Sequence, residues 1–208
     1  MIGRVAILGA FLATLAGPAL ATREYILPTR FDVVDVAADG VLNVRARPDA
    51  RAEIIGTLAP DEQNVEVVAH DASGRWGLVN VGERSGWVAM RYLDYRVDVW
   101  EPGALPDGLQ CLGTEPFWSM RPEADRLVLA TPETEETGTI IAILDTGIFR
   151  DPRRVVLAKG EDWRLTASLT AARCSDGMSD RAYGLEAMLV REDEAGASLL
   201  AGCCTIGR

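Results

Sequence analysis

The sequence predicts an all-β chain: two small antiparallel barrels in series, the second stapled by disulfides. Three observations lead there. Short apolar, β-branched runs recur between Gly-, Pro- and Asp-bearing turns, and helical periodicity is rare. All four cysteines lie after Gln110, at Cys111, Cys174, Cys203 and Cys204. The N-terminus reads as an export signal, which sends those cysteines to a compartment where disulfides persist.

The signal segment is residues 1–21. Arg4 supplies its positive start, and Val5 to Leu15 is an apolar run broken only by Gly9 and Thr14. Gly17-Pro18 breaks the helix, and Ala19-Leu20-Ala21 is a small-x-small cleavage site, so the mature chain starts at Thr22. The run is shorter than the roughly 20 residues a membrane span needs, and no later apolar stretch is longer. No cysteine follows the cleavage site to take a lipid. The expected location is periplasmic or secreted. The net charge of -10 repels phosphate backbones and no basic stripe offsets it, which excludes nucleic acid as a partner. Acidity of this kind serves solubility and also suits a cationic protein partner. The mature length is enough for two small domains rather than one large core.

The first unit covers residues 31–93. Phe31 to Val36, Val41 to Arg45, Ile54 to Leu58, Val65 to Ala69 and Trp76 to Val81 are its strands, and Trp87-Val88 opens the last one. In the fifth, Trp76, Leu78 and Asn80 share one face while Gly77, Val79 and Val81 share the other. Gly82 to Gly86 is read as a five-residue hairpin loop. The motifs Leu42-Asn43-Val44-Arg45-Ala46-Arg47-Pro48, Ile55-Gly56-Thr57-Leu58, Trp76-Gly77-Leu78-Val79 and Gly86-Trp87-Val88 with Tyr92-Leu93 follow in order. In this order and spacing they resemble a bacterial SH3-like domain. The departure is Arg47, where that family usually places Gly before the Pro. The resemblance implies a small barrel that binds a peptide or peptidoglycan-type ligand of the cell envelope. Trp76, Trp87 and Tyr92 are the candidate aromatic groove, since aromatics give binding surfaces amphipathic contact area.

Residues 94–108 read as a linker, from Pro102-Gly103, Pro106 and Asp107-Gly108. Trp100 is unusual there and is expected to pack against a neighbouring unit. The second unit covers residues 109–208. Leu127 to Ala130, Thr139 to Leu144, Arg154 to Ala158, Trp163 to Ala167, Leu185 to Val190 and Ser198 to Ala201 are its strands. Pro132 to Gly138, Lys159 to Asp162 and Glu192 to Gly196 are its turns. A core this small calls for disulfide support.

Four cysteines allow three pairings. A Cys203–Cys204 bond is disfavoured, because adjacent Cα atoms sit closer than cystine geometry prefers. Neighbours on a strand face opposite ways, so Cys203 and Cys204 reach different partners, which leaves two pairings open. Cys111-Leu112-Gly113-Thr114-Glu115-Pro116-Phe117-Trp118, Cys174-Ser175-Asp176-Gly177-Met178-Ser179-Asp180-Arg181 and Gly202-Cys203-Cys204 resemble an uncharacterised family of exported bacterial β-rich domains. That resemblance implies Cys174–Cys203, and hence Cys111–Cys204. It implies no activity.

The chemistry-bearing candidates are few. Ile143-Leu144-Asp145-Thr146-Gly147 has the Asp-Thr-Gly of aspartic proteases, which need two carboxylates sharing a proton and so would need a dimer through Asp145. The cysteines lack the spacing of a zinc site, and no metal or other cofactor is implied. His70, the single histidine, has no partner set for nucleophile activation and is expected at the surface before the Asp71 to Gly74 turn. A second candidate cluster is Glu115, Trp118, Asp176, Asp180, Arg181 and Tyr183, lining a pocket near the cystines. The sequence therefore reads as an exported binding protein of the cell envelope rather than an enzyme. The rival reading is an inhibitor of a cationic secreted hydrolase such as lysozyme. The dimeric aspartic protease is a third.

Overall fold

The computed structural model describes residues 25–207. The signal segment, its cleavage site and the Thr22 start fall outside the described residues. Every strand pairing is antiparallel, and the described strands make two sheets and one closed barrel.

The two sheets belong to the first unit. β1 (Thr29–Val33), β4 (Val65–Val67) and β8 (Leu93–Tyr95) form one, with β1 central. β2 (Leu42–Arg45), β3 (Ile54–Leu58), β5 (Ala69–His70), β6 (Trp76–Val81) and β7 (Arg84–Ala89) form the other, in the order β3-β2-β7-β6-β5. A short 3₁₀ turn, Met90–Tyr92, leads into β8. Val44, Val79, Val88, Phe31, Val67 and Leu93 pack between the sheets. The period-two pattern of β6 is what places Val79 in this core and leaves Trp76 and Asn80 on the outer face. The hairpin between β6 and β7 is tighter than the sequence implied. Val81 pairs directly with Arg84, so only Gly82 and Glu83 form the turn, and Gly82 takes a left-handed φ of 58° that glycine adopts without a Cβ clash.

The second unit is a closed eight-stranded barrel in the order β10-β11-β12-β13-β14-β15-β16-β9. Its strands are β9 (Gln110–Thr114), β10 (Phe117–Glu123), β11 (Arg126–Ala130), β12 (Glu135–Leu144), β13 (Arg154–Lys159), β14 (Trp163–Cys174), β15 (Tyr183–Asp193) and β16 (Gly196–Thr205). The last three run further than their apolar stretches. Thr170 and Glu192 extend β14 and β15 because they occupy outward positions, where a polar or charged side chain stays in water. The Glu192 to Gly196 turn shrinks accordingly to Glu194-Ala195, with Asp193 paired to Gly196. β9 and β10 are two strands that the sequence reading took only as motif. Inward positions carry Cys111, Trp118, Met120, Leu127, Leu165, Leu185 and Leu189, all buried, and they fill the eight-stranded interior.

Closure happens at β16 and β9, joined by three residue pairs, Cys203↔Leu112, Cys204↔Cys111 and Thr205↔Gln110. Cys204 bonds Cys111 across this seam on the inner face. Cys203 faces outward and bonds Cys174, which pins the loop after β14 against the barrel wall. Next to the seam the Trp118 indole lies across two glycines. A Cβ on Gly113 would sit 2.0 Å from its Nε1, and one on Gly202 would sit 2.0 Å from the Leu112 carbonyl and 2.8 Å from the indole ring. The glycines of two of the quoted motifs are therefore the bed of one tryptophan.

The units are joined through buried polar groups. Glu66 of β4 is buried, and its carboxylate accepts from the Thr205 hydroxyl and from the N–H groups of Ile206 (3.2 Å) and Gly207 (3.1 Å). Arg30 of β1 donates to the Ile206 carbonyl at 2.8 Å. The segment read as a linker is largely ordered by these neighbours. Trp100 is 3% exposed within the barrel core and donates its Nε1–H to the Pro28 carbonyl at 2.8 Å. Arg154 reaches out of β13 to the carbonyls of Glu101 and Ala104.

Three outcomes are expected. In the chain-entropy argument the 93-residue separation of Cys111 and Cys204 stabilises by about 4.7 kcal/mol, against about 3.6 kcal/mol for the 29-residue separation of Cys174 and Cys203. Urea denaturation of the two double-alanine variants should show the greater loss for the Cys111/Cys204 pair. Gly113→Ala should cost about 1–3 kcal/mol by the same measurement, because the indole has to leave its bed. Burial pushes the Glu66 carboxyl above its ordinary pKa, although Thr205, Ile206 and Gly207 oppose the shift. The folded state thus holds a proton that the unfolded chain releases above about pH 4.5, and stability falls as pH rises from there toward the folded value. Glu66→Gln should flatten that decline in Tm measured from pH 4 to 7.

Candidate functional site

The groove of the first unit is built around the turn from β5 into β6. Asp71 organises it. Its carboxylate accepts from Ser73 N and Oγ and from Trp76 N, and its own N–H donates to the Trp76 carbonyl. Slight burial opposes ionisation, but these donors outweigh it and hold the Asp71 carboxyl below its ordinary range. The turn thereby fixes Trp76 at the start of β6, half-buried, where it lines a depression of about 1020 Å³. His70, Tyr25, Arg75 and Arg91 also line this depression. A second depression of about 450 Å³ lies beyond and is lined by Tyr92, Asn43 and Arg45. Trp76, Ala50, Ala89 and Arg91 line both, so Trp76 and Arg91 form the ridge between them. The Arg91 guanidinium sits 4.5 Å over the Tyr92 ring and donates to the Tyr92 hydroxyl at 3.0 Å, which holds the ridge in place.

His70 is not the surface residue that its turn context implied. It is half-buried, edge-on to Tyr25 with ring centroids 5.3 Å apart. Burial lowers its pKa, against the pull of Asp71, so the ring is neutral at pH 7. Its Nε2 is buried and has no hydrogen-bond partner among the described residues. Of the three aromatics expected in the groove, Trp76 lines both depressions and Tyr92 the second. Trp87 lines neither, although Arg45, with which it pairs, lines the second.

The second expected cluster divides. Trp118 and Asp176 line a depression of about 490 Å³ on the barrel. Glu115 is exposed on the two-residue turn between β9 and β10 and lines none of these depressions. Tyr183 is buried beneath the loop, and its hydroxyl donates to Asp176 at 3.1 Å. Asp180 and Arg181 join the two units. The Asp180 main chain exchanges hydrogen bonds with Glu83 and Ser85, and Arg181 donates to the Gly82 carbonyl. The adjacent Ala182 makes paired bonds with the Asn80 amide. Their partners are more than 90 residues away in sequence, on the tight turn of β6 and β7, which sequence reading had no means to supply.

Asp145, at the end of β12, is exposed and accepts the N–H groups of Gly147 and Gly103, each at 2.7 Å. Those donors hold its carboxyl below the ordinary range. It ties the linker to the barrel rather than presenting an acid that shares a proton. Among the described residues no group of three or more His, Cys, Asp or Glu side chains is placed to hold a metal ion.

Residues 40–94 match the family model of the bacterial SH3 domain. The match runs from β2 into β8 and includes Trp76, Arg91 and Tyr92; β1, which pairs with β4 and β8, lies before it, as do Tyr25 of the first depression and Asp35 to Ala37 of the second. No family is assigned to the barrel, and no curated protein and no solved structure matches the chain.

Proposed function

We propose that the protein is an exported binding protein of the cell envelope whose bacterial SH3 domain holds a peptide-bearing cell-wall ligand in the double groove about Trp76. The observation that supports this reading most is the ridge itself. Trp76 stands between two depressions, with Arg75 and Arg91 among the residues that line them. That combination suits a short peptide with an apolar stem and a carboxylate: the stem stacks on Trp76 and the carboxylate meets an arginine. Bacterial SH3 domains typically bind cell wall, which agrees with this chemistry. Two disulfides within one barrel fit an oxidising compartment. Among the described residues no helix is long and apolar enough to cross a membrane.

Co-sedimentation with purified peptidoglycan tests the reading. Trp76→Ala should weaken retention by about 10- to 100-fold, as loss of a central aromatic anchor does. Trp87→Ala, on the same face but outside the groove, should leave it within about twofold. Equal retention of all three proteins, or none by the native chain, would refute the proposal.

A further inference from the structure

The barrel wall carries a depression separate from the two around Trp76. It lies between the turn from β9 to β10, the loop from β11 to β12 and the loop that follows Cys174, and it encloses about 490 Å³. Two large apolar side chains stand at its margin in solvent: Phe117 is 53% exposed and Met178 is 69% exposed. Leu112, Ala130 and Pro132 continue the apolar lining.

The loop carrying Met178 is held in shape before any ligand arrives. Asp176 accepts the N–H groups of Met178 and Ser179 at 3.0 Å each, and the hydroxyls of Ser179 (2.8 Å) and Tyr183 (3.1 Å). Thr114 donates to the Asp176 carbonyl at 3.0 Å, and the Cys174–Cys203 bond anchors the loop's start. With the loop backbone held at this many points, covering Met178 costs only the rotamer freedom of its side chain, not the ordering of the loop. Such a pre-set apolar margin beside a concavity is the form that binding pockets take.

Charge decides what covers it. The lining carries two charged residues, Glu83 and Asp176, both acidic, and no Lys or Arg. Asp176 is already saturated by its four donors. Glu83 comes from the SH3 turn, is exposed, and makes no ion pair among the described residues. The whole chain carries -10. Anionic lipid and nucleic acid are repelled by such a site. Strand addition is also excluded, because β9 and β10 have both edges paired in the closed barrel. Recognition therefore runs through side chains. We propose that the Phe117–Met178 groove takes a large apolar side chain carried on a cationic polypeptide, with Glu83 of the SH3 domain pairing a flanking Lys or Arg. The site then exists only when both units are joined, since one wall charge comes from each.

The test is an amide NMR titration of the intact, oxidised protein with three probes: acetyl-Lys-Trp-Lys-amide, acetyl-Glu-Trp-Glu-amide and acetyl-Lys-Ala-Lys-amide. The first should bind with shifts centred on Leu112, Thr114, Phe117, Ser119 and Met178. The other two should bind at least about fivefold more weakly. Phe117→Ser and Met178→Ser should each weaken the first probe at least about fivefold, and Glu83→Gln should bring the first and second probes closer together. Should Phe117→Ser lose its native spectrum, Met178→Ser, on a solvent-exposed loop tip, carries the same test. Equal binding of all three probes, shifts confined to the Trp76 groove, unchanged binding by Met178→Ser, or no shift up to about 5 mM would each overturn the proposal.

Discussion

The short seam between β16 and β9 is the constraint on which the rest of this molecule depends. Three residue pairs close a barrel of eight strands, and one cystine spans them. Open sheets with exposed edges invite wrong pairing, and closure removes those edges. The seam also seats Trp118, whose indole needs Gly113 on one strand and Gly202 on the other to lie flat. At its end and just beyond, Thr205 to Gly207 carry the donors that the buried Glu66 carboxylate accepts. Barrel closure, the seat of the core tryptophan and the joint between the units therefore share a few consecutive residues.

That joint is polar and buried, which makes it specific rather than strongly adhesive. A carboxylate taken out of water is costly unless donors meet it, and here three do. A sliding apolar contact between the units would tolerate many relative positions; this one tolerates few. A second contact, from the Gly82-Glu83 turn to Asp180, Arg181 and Ala182, sits on the far side of the β6–β7 hairpin. It carries the SH3 turn to the edge of the barrel depression. The Trp76 groove lies at the opposite end of the same hairpin and stays open.

The candidate sites were unequally legible. Trp76 was visible because period-two spacing beside a turn puts it on an outer face, and Tyr92 because it belongs to the last of the quoted motifs. Trp87 has the same spacing and still misses the groove, since the concavity follows the Asp71 turn and the Met90–Tyr92 turn rather than the strand. Arg91 was missed entirely. Its role depends on stacking over Tyr92 and standing beside Trp76, and a surface arginine in sequence carries no sign of either. Asp176 was singled out for the pocket, yet its carboxylate serves the loop and Met178 is the exposed member. A turn-forming Asp-Gly-Met-Ser run shows that a loop exists but not which side chain it displays.

By itself the sequence determined the fold class, most strand positions, the two faces of the strand from Trp76 to Val81 and the rule that Cys203 and Cys204 reach different partners. All of these follow from local alternation, turn chemistry and spacing, which act over a few residues. Tertiary structure alone decided that β9 and β10 close the barrel. Gly113 and the Glu115-Pro116 turn carry no strand pattern of their own, and the partner strands with the tryptophan lying over Gly113 make the segment sheet. It alone buried Glu66 against the last strand, 139 residues away. It also brought a turn of the SH3 domain to the wall of the barrel groove. Contacts at such separations depend on how two whole units meet, and no local pattern encodes that meeting.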